Sequence, residues 1–217
     1  MTNIELSLHL EKNYPICGRG RPRKPVHGIG LNDADYMTTP TVNGAILWDP
    51  SYSAWAGMMQ RAYDQKYHEK HPTYVGVTVC KEWHLFSAFR TWWLANYRDG
   101  FSLDKDLLVA GNREYGPEAC VYVPQWLNTF TIDCGAVRGE FPIGVSLHET
   151  GRYRSRCRNP ITGKRHSLGL FDTPEEALDA WLNCKLELAE QLKPAMDAID
   201  SRIHNNVLTI VIVNALS

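Results

Sequence analysis

The run Arg152-Tyr-Arg-Ser-Arg-Cys-Arg158 restricts the fold more than any other part of the chain. In an extended strand successive side chains point to opposite faces. Tyr153, Ser155 and Cys157 therefore share one face, and Arg152, Arg154, Arg156 and Arg158 the other. Gly151 before the run and Asn159-Pro-Ile-Thr-Gly163 after it are turn signals. Ile143-Gly-Val-Ser-Leu147 and Arg165-His-Ser-Leu-Gly-Leu-Phe171 supply a strand on either side, giving a three-stranded sheet. No acidic residue occurs between Thr150 and Leu170. Like charges packed this closely destabilise a sheet, so the expected compensation is an external polyanion. Thr173-Pro-Glu-Glu176 then reads as a capping box with proline at the first helical position. Ala177, Ala180, Trp181, Cys184, Leu188 and Leu192 form the apolar stripe of a helix covering the other face.

A chain of 217 residues suits one large domain or two small ones, and a hydrophobic content of 44% is ample for their cores. The formal net charge of −1 means that any basic surface must be local. Six cysteines without a CxxC pair point to reduced thiols in a cytoplasm, and structural zinc is not expected. Residues 1–12 are mixed polar, unlike a signal peptide, and Val207–Val213 is too short an apolar run to cross a bilayer.

Residues 1–40 read as a basic arm around Cys17-Gly-Arg-Gly-Arg-Pro-Arg-Lys-Pro25, which proline and glycine keep out of helices and central strands. An aromatic stripe of Trp48, Tyr52, Trp55, Met59 and Tyr63 predicts a helix over roughly 51–66, started by Asp49-Pro50-Ser51. Tyr74–Cys80 reads as a strand, and Lys81–Asn96 as a second helix with Trp83, Phe86, Phe89 or Arg90, and Trp93 inward. Both stripes are expected in the core. A linker at about 131–140 precedes the sheet, and after Pro194 the pattern fades into a tail. There Ala195–His204 suits a short helix, while Val207–Val213 suits an edge strand, a docked segment or none.

Between these parts lies Leu103–Asn128. Leu103–Leu108 and Cys120–Val123 are short strand candidates, Gly111 and Gly116-Pro117 turn the loop between them, and Gln125–Phe130 begins a helix. Such a hairpin can bring an acid at its start beside an amide at its end. Asp104 and Asn128 are oxygen donors suited to one hard divalent cation.

Two families resemble these segments. Residues 44–130 resemble the HNH (His-Me finger, ββα-metal) endonucleases in the divergent form found in bacteriophages. Asp104 falls at the metal-binding Asp, Cys120-Val-Tyr-Val123 at the second strand and Asn128 at the last Asn. The aromatic segment before Asp104 is similar to the one that precedes that core in phage proteins. The resemblance implies a single Mg²⁺ or Mn²⁺ ion held by Asp104 and Asn128. Lys105 stands where the family has its general-base His. A lysine near its ordinary pKa of about 10.4 is a poor base at neutral pH, so Asp106 or His84 are further candidates for activating water. Among the region's histidines, His68 and His71 are set behind His84. Residues 138–190 resemble the Apetala-two/ethylene-response-factor DNA-binding domain through Gly144-Val145, Tyr153, Leu168-Gly169-Leu170-Phe171 and Thr173-Pro-Glu-Glu-Ala177. This implies a sheet in the major groove of double-stranded DNA, with Arg152, Arg154, Arg156, Arg158, Lys164 and Arg165 contacting guanine edges and phosphates. Arg19-Gly-Arg21-Pro, with Arg23, resembles an AT-hook, whose arginines lie in a narrow minor groove.

The expectation is an α+β chain. It comprises a basic arm (1–40), an HNH-like domain (41–134), a sheet-and-helix DNA reader (138–193) and a tail (194–217). Its expected activity is that of a phage DNA endonuclease, homing-type or free-standing, in the bacterial cytoplasm. A catalytically inactive DNA-binding relative is the alternative, and an inhibitor of host machinery a third. No membrane partner is expected, and a monomer is slightly favoured.

Overall fold

The computed structural model describes residues 1–16, 23–132 and 139–216. The chain is a mixed α/β protein that divides into two compact units, Met1–Asp106 with Gly111–Tyr122 and Leu107–Ala110 with Val123–Ser217. Among the described residues no helix is long and apolar enough to cross a membrane.

The first unit opens with helix α1 (Asn3–Asn13), where an arm was expected. The Thr2 hydroxyl accepts from the Glu5 amide at 3.2 Å, and the Glu5 carboxylate accepts from the Thr2 amide at 2.7 Å. This reciprocal cap starts the helix, and Ser7 and Leu10 are then fully buried. The amino terminus is therefore part of a core. Strands β1 (Thr41–Val42) and β2 (Ala45–Ile46) form a hairpin around Asn43-Gly44, both at positive φ, as a tight two-residue turn requires. Asp49 caps helix α2 (Pro50–Tyr63) from a fully buried position. Its carboxylate accepts from the Ser51 amide and hydroxyl, the Tyr36 hydroxyl and the Ser7 hydroxyl, so the buried charge is well satisfied.

The expected stripe of α2 is core at Trp55 and Met59, joined by Met58 and Ala62, while Trp48 lies outside the helix and is exposed. A short helix α3 (Gln65–Lys70) follows. Strand β3 is only Thr78–Val79, shorter than the expected 74–80, because Pro72–Tyr74 is a 3-10 turn and Gly76 takes a φ of +79°. Helix α4 (Phe86–Asn96) buries Phe86, Phe89 and Trp93 against α2, and the Trp55 indole donates to the Trp83 carbonyl at 2.7 Å. Strand β4 (Phe101–Asp104) precedes β5 (Glu114–Tyr115), which pairs parallel with β3. Strand β4 pairs with β6 (Val121–Pro124), whose first two residues close this unit.

The second unit contains helix α5 (Gln125–Phe130) and an antiparallel sheet ordered β7 (Val145–Leu147), β8 (Tyr153–Arg158), β9 (Arg165–Phe171). Helix α6 (Pro174–Asp197) packs across this sheet, burying Ala177, Trp181, Leu188 and Ala189. It starts where the sequence predicts, with the Thr173 hydroxyl accepting from the Glu176 amide at 3.2 Å. It continues past Pro194 to Asp197, because a proline one turn from the end removes a single interior hydrogen bond. The expected tail is instead helix α7 (Ile203–Leu216), packed on α6. Ile203, Val207, Val211 and Ala215 recur every four residues and are buried, so tertiary burial overrides the strand preference of a β-branched run.

Candidate nucleic-acid interface

The arginine run forms the central strand of the sheet, and its alternation is retained. Ser155 and Cys157 are buried on the helix side, whereas Arg156 and Arg158 are exposed on the other. The Asn159 turn joins β8 to β9. The Asn159 side-chain oxygen accepts from the amides of Ile161 and Thr162, both at 3.0 Å, and Gly163 takes a φ of +68°. One irregularity sets the face. Ser155 pairs with Gly169 and Arg156 with Ser167, so Leu168 is an extra residue on β9. Beyond it Arg158 lies directly opposite Arg165.

Two guanidinium groups at one cross-strand position repel. Arg156 stands two residues along the same face, and Lys164 is exposed at the adjoining turn. Among the described residues no ion pair is formed by Arg154, Arg156, Arg158, Lys164 or Arg165. Arg154 is half-buried, opposite Ser146 on one side and Leu170 on the other. Arg152 differs from its neighbours, since it precedes β8 and pairs with Asp172 at 2.8 Å. Asp172 lies just past the acid-free stretch, so no residue near Arg152 in the chain marks this partner.

Strand β7 is short, and its last bond to β8 runs from the Arg156 amide to the Gly144 carbonyl at 3.0 Å. Beyond that point the β8 edge opens onto a cavity of about 600 Å³. Trp126 and Phe130 of α5, Ile143, Trp181 and Lys185 of α6, and Arg156, Arg158 and Arg165 line it. The Lys185 ammonium donates to the Phe130 carbonyl at 2.7 Å and sits 3.5 Å from the Phe130 ring centroid. Burial draws the Lys185 pKa down to about 8, with Cys157 and Cys184 pulling weakly the other way. Burial also pushes the Cys157 thiol up to about 12, with Cys184 beside it adding to the rise.

The lysine shift has a definite sign. Between pH 8 and about 10.5 the unfolded chain binds the Lys185 proton and the folded chain does not, so stability rises with pH over that window. Denaturant titrations should show wild type gaining on the order of 3 kcal/mol on Lys185→Met from pH 8 to 10.5. A difference that stays flat with pH would mean that Lys185 is not desolvated. Cys157 is common to both proteins and drops out of the comparison.

The HNH-like residues lie elsewhere. Asp104 ends β4 in the first unit, and Asn128 lies on α5 in the second. The Asp104 carboxylate accepts from the Asp106 amide at 2.8 Å. The Lys105 ammonium, mostly buried, is bound to the Asp106 carboxylate, lies 3.4 Å from the Asn112 carbonyl and faces the Tyr115 ring. Asn112 returns two bonds, to the carbonyls of Lys105 and Glu114. Lys105 and Asn112 therefore hold the loop together, with Asp106 as the lysine's counter-charge. His84 has its Nε2 3.0 Å from the Val79 carbonyl and 3.2 Å from the Tyr63 hydroxyl, a position that ties β3 to α2. Among the described residues no group of three or more His, Cys, Asp and Glu side chains could hold a metal ion. At this loop the Asp104 carboxylate would be the acid facing a divalent ion, while Asp106 is already matched to a lysine.

Arg23, expected on a DNA-binding arm, is turned inward. Its guanidinium donates to the carbonyls of Asn32, Ala34 and Tyr36 and to the Asn32 side chain, at 2.7–2.8 Å. These loop carbonyls have no strand to pair with, and a planar cation satisfies several at once. Arg19 and Arg21 lie outside the described residues.

No family model matches the chain, and neither does any solved structure. Over 64 residues the chain is 38% identical to Ethylene-responsive transcription factor ERF119 of Arabidopsis thaliana. The match covers 30% of this chain and 19% of that relative, so the chain spans about a fifth of its length. The likeness concerns the carboxy-terminal part that holds the sheet and its helix.

Proposed function

We propose that this protein binds double-stranded DNA through the exposed face of β8 and β9. The observation that carries the reading is Arg158 facing Arg165, with Arg156 beside them and no counter-charge among the described residues. A row of phosphates would supply that counter-charge, and a guanidinium fork matches both phosphate and guanine edges. The likeness to a transcription factor supports the same reading. Fluorescence anisotropy with a labelled duplex should give saturable binding at low salt, with a Kd at or below the micromolar range of about 10⁻⁶ M. Absence of saturable binding there would remove the proposal.

A second reading, metal-dependent nicking of DNA in a phage-type endonuclease, is favoured by one observation. The order β4, a loop that carries β5, β6, α5 resembles that of the HNH core, with Asp104 at the end of its first strand. A supercoiled plasmid with Mg²⁺ or Mn²⁺ separates the two. Nicking by wild type that disappears in Asp104→Ala supports the nuclease. Binding without cleavage in either protein supports a DNA-binding protein that does not cut.

A further inference from the structure

The cavity beside β8 combines features that the sheet surface lacks. Its walls are aromatic and apolar, from Trp126, Phe130, Ile143 and Trp181, and its volume of about 600 Å³ is that of a small-molecule site. Its charged groups are all cationic among the described residues, Lys185 within and Arg156, Arg158 and Arg165 at the rim, and Gln125 and Thr129 add neutral polar groups. Among the described residues no carboxylate lines it. A smaller concavity of about 230 Å³, between Gly144–Ser146 and the same arginines, continues from it. Flat apolar walls next to converging cations select a ligand with a planar ring at one end and an anion at the other.

We propose that this cavity binds a small aromatic phosphate of mononucleotide size, with the ring among Trp126, Phe130 and Trp181 and the phosphate on Lys185 and the rim arginines. The opening exists because β7 stops pairing at Gly144, leaving the edge of Arg156–Arg158 uncovered among the described residues. The ammonium of Lys185 already faces one carbonyl and one ring, and a phosphate would give it the counter-charge it lacks among the described residues. Arg156, Arg158 and Arg165 belong both to the rim and to the proposed DNA face, so a bound ligand should compete with duplex. That coupling rests on the DNA-binding reading, whereas ligand binding itself does not.

Isothermal titration of the full chain with AMP, adenosine and inorganic phosphate tests the site. AMP should bind at one saturable site at least about tenfold more tightly than adenosine or phosphate, the factor that one good charged contact supplies. Lys185→Met and, separately, Trp126→Ala should each weaken AMP by a similar factor, with thermal melts verifying that each variant is folded. AMP binding no tighter than phosphate, or unchanged in both folded variants, would overturn the proposal. Saturating AMP should also raise the apparent Kd for duplex, and unchanged duplex affinity would overturn the coupling. Tight AMP binding in a protein that binds no duplex at all would leave the cavity assignment standing and remove the DNA reading.

Discussion

Gly144→Ala is expected to destabilise the carboxy-terminal unit by about 3–5 kcal/mol, the sum of overpacking and backbone strain. A β-carbon at this position would lie 2.0 Å from Trp181 Cδ1 and 2.5 Å from Trp181 Cγ and Nε1. Trp181 is itself buried, and the atoms met are at the inner end of its ring, so the whole indole would have to shift toward the adjoining cavity. Residue 144 also sits at a φ of +78°, where alanine is strained whatever the space. Gly151→Ala is the matched control. Its φ is +80° and nothing lies within 4 Å of the added carbon, so only the backbone contribution of about 1 kcal/mol remains. Urea denaturation of both variants reads the contrast. Equal losses would mean that Trp181 does not press on Gly144, and that the seating of the sheet on its helix is wrong.

The second large effect concerns binding. Removing Arg156 and Arg158 together should weaken duplex affinity by about two orders of magnitude, since each guanidinium contact to a base or phosphate contributes roughly 1–3 kcal/mol. The same substitutions should leave the free protein as stable or slightly more stable. Arg158 faces Arg165 across the strands, and relief of a like-charge pair is worth a few tenths of a kcal/mol, to about 1. Opposite signs on binding and stability mark a face kept for a partner. Anisotropy titrations and urea melts of one preparation measure both. A variant that loses stability while keeping its affinity would reverse the assignment, making these arginines structural.

The sheet and its helix were legible in the sequence because local signals agreed. Alternation at Arg152–Arg158, turns at Gly151 and Asn159–Gly163, and the Thr173–Glu176 cap all specify the same unit. The pairing of Arg158 with Arg165 was not legible, since it depends on where the Asn159–Lys164 turn closes, and the bulge at Leu168 shifts the register beyond Arg156 without changing composition. Helix α1 carried a readable sign, the Thr2-Asn-Ile-Glu5 capping box, which the nearby Pro/Gly-rich basic segment overshadowed. Helix α7 shows a real conflict of signals. Val207–Val213 has strand composition, and only the four-residue spacing of Ile203, Val207, Val211 and Ala215 reveals the helical face that α6 covers. Arg23 and Lys105 both look like surface cations in a linear reading. The carbonyls around Arg23, and the Asn112 carbonyl and Tyr115 ring around Lys105, are brought there by chain folding, and only the neighbouring Asp106 could be read as a partner in the sequence.

The salt dependence of duplex binding is the most direct measurement of the central claim, that an uncompensated arginine face takes its counter-charge from DNA phosphates. If about four to five cations among Arg154, Arg156, Arg158, Lys164 and Arg165 each release a counterion, log K plotted against log salt should fall with a slope of about −4. Removing Arg156 and Arg158 should make that slope shallower by about 2. A wild-type slope between zero and about −1 would contradict the account, because a face engaging phosphates cannot be indifferent to the ions it displaces.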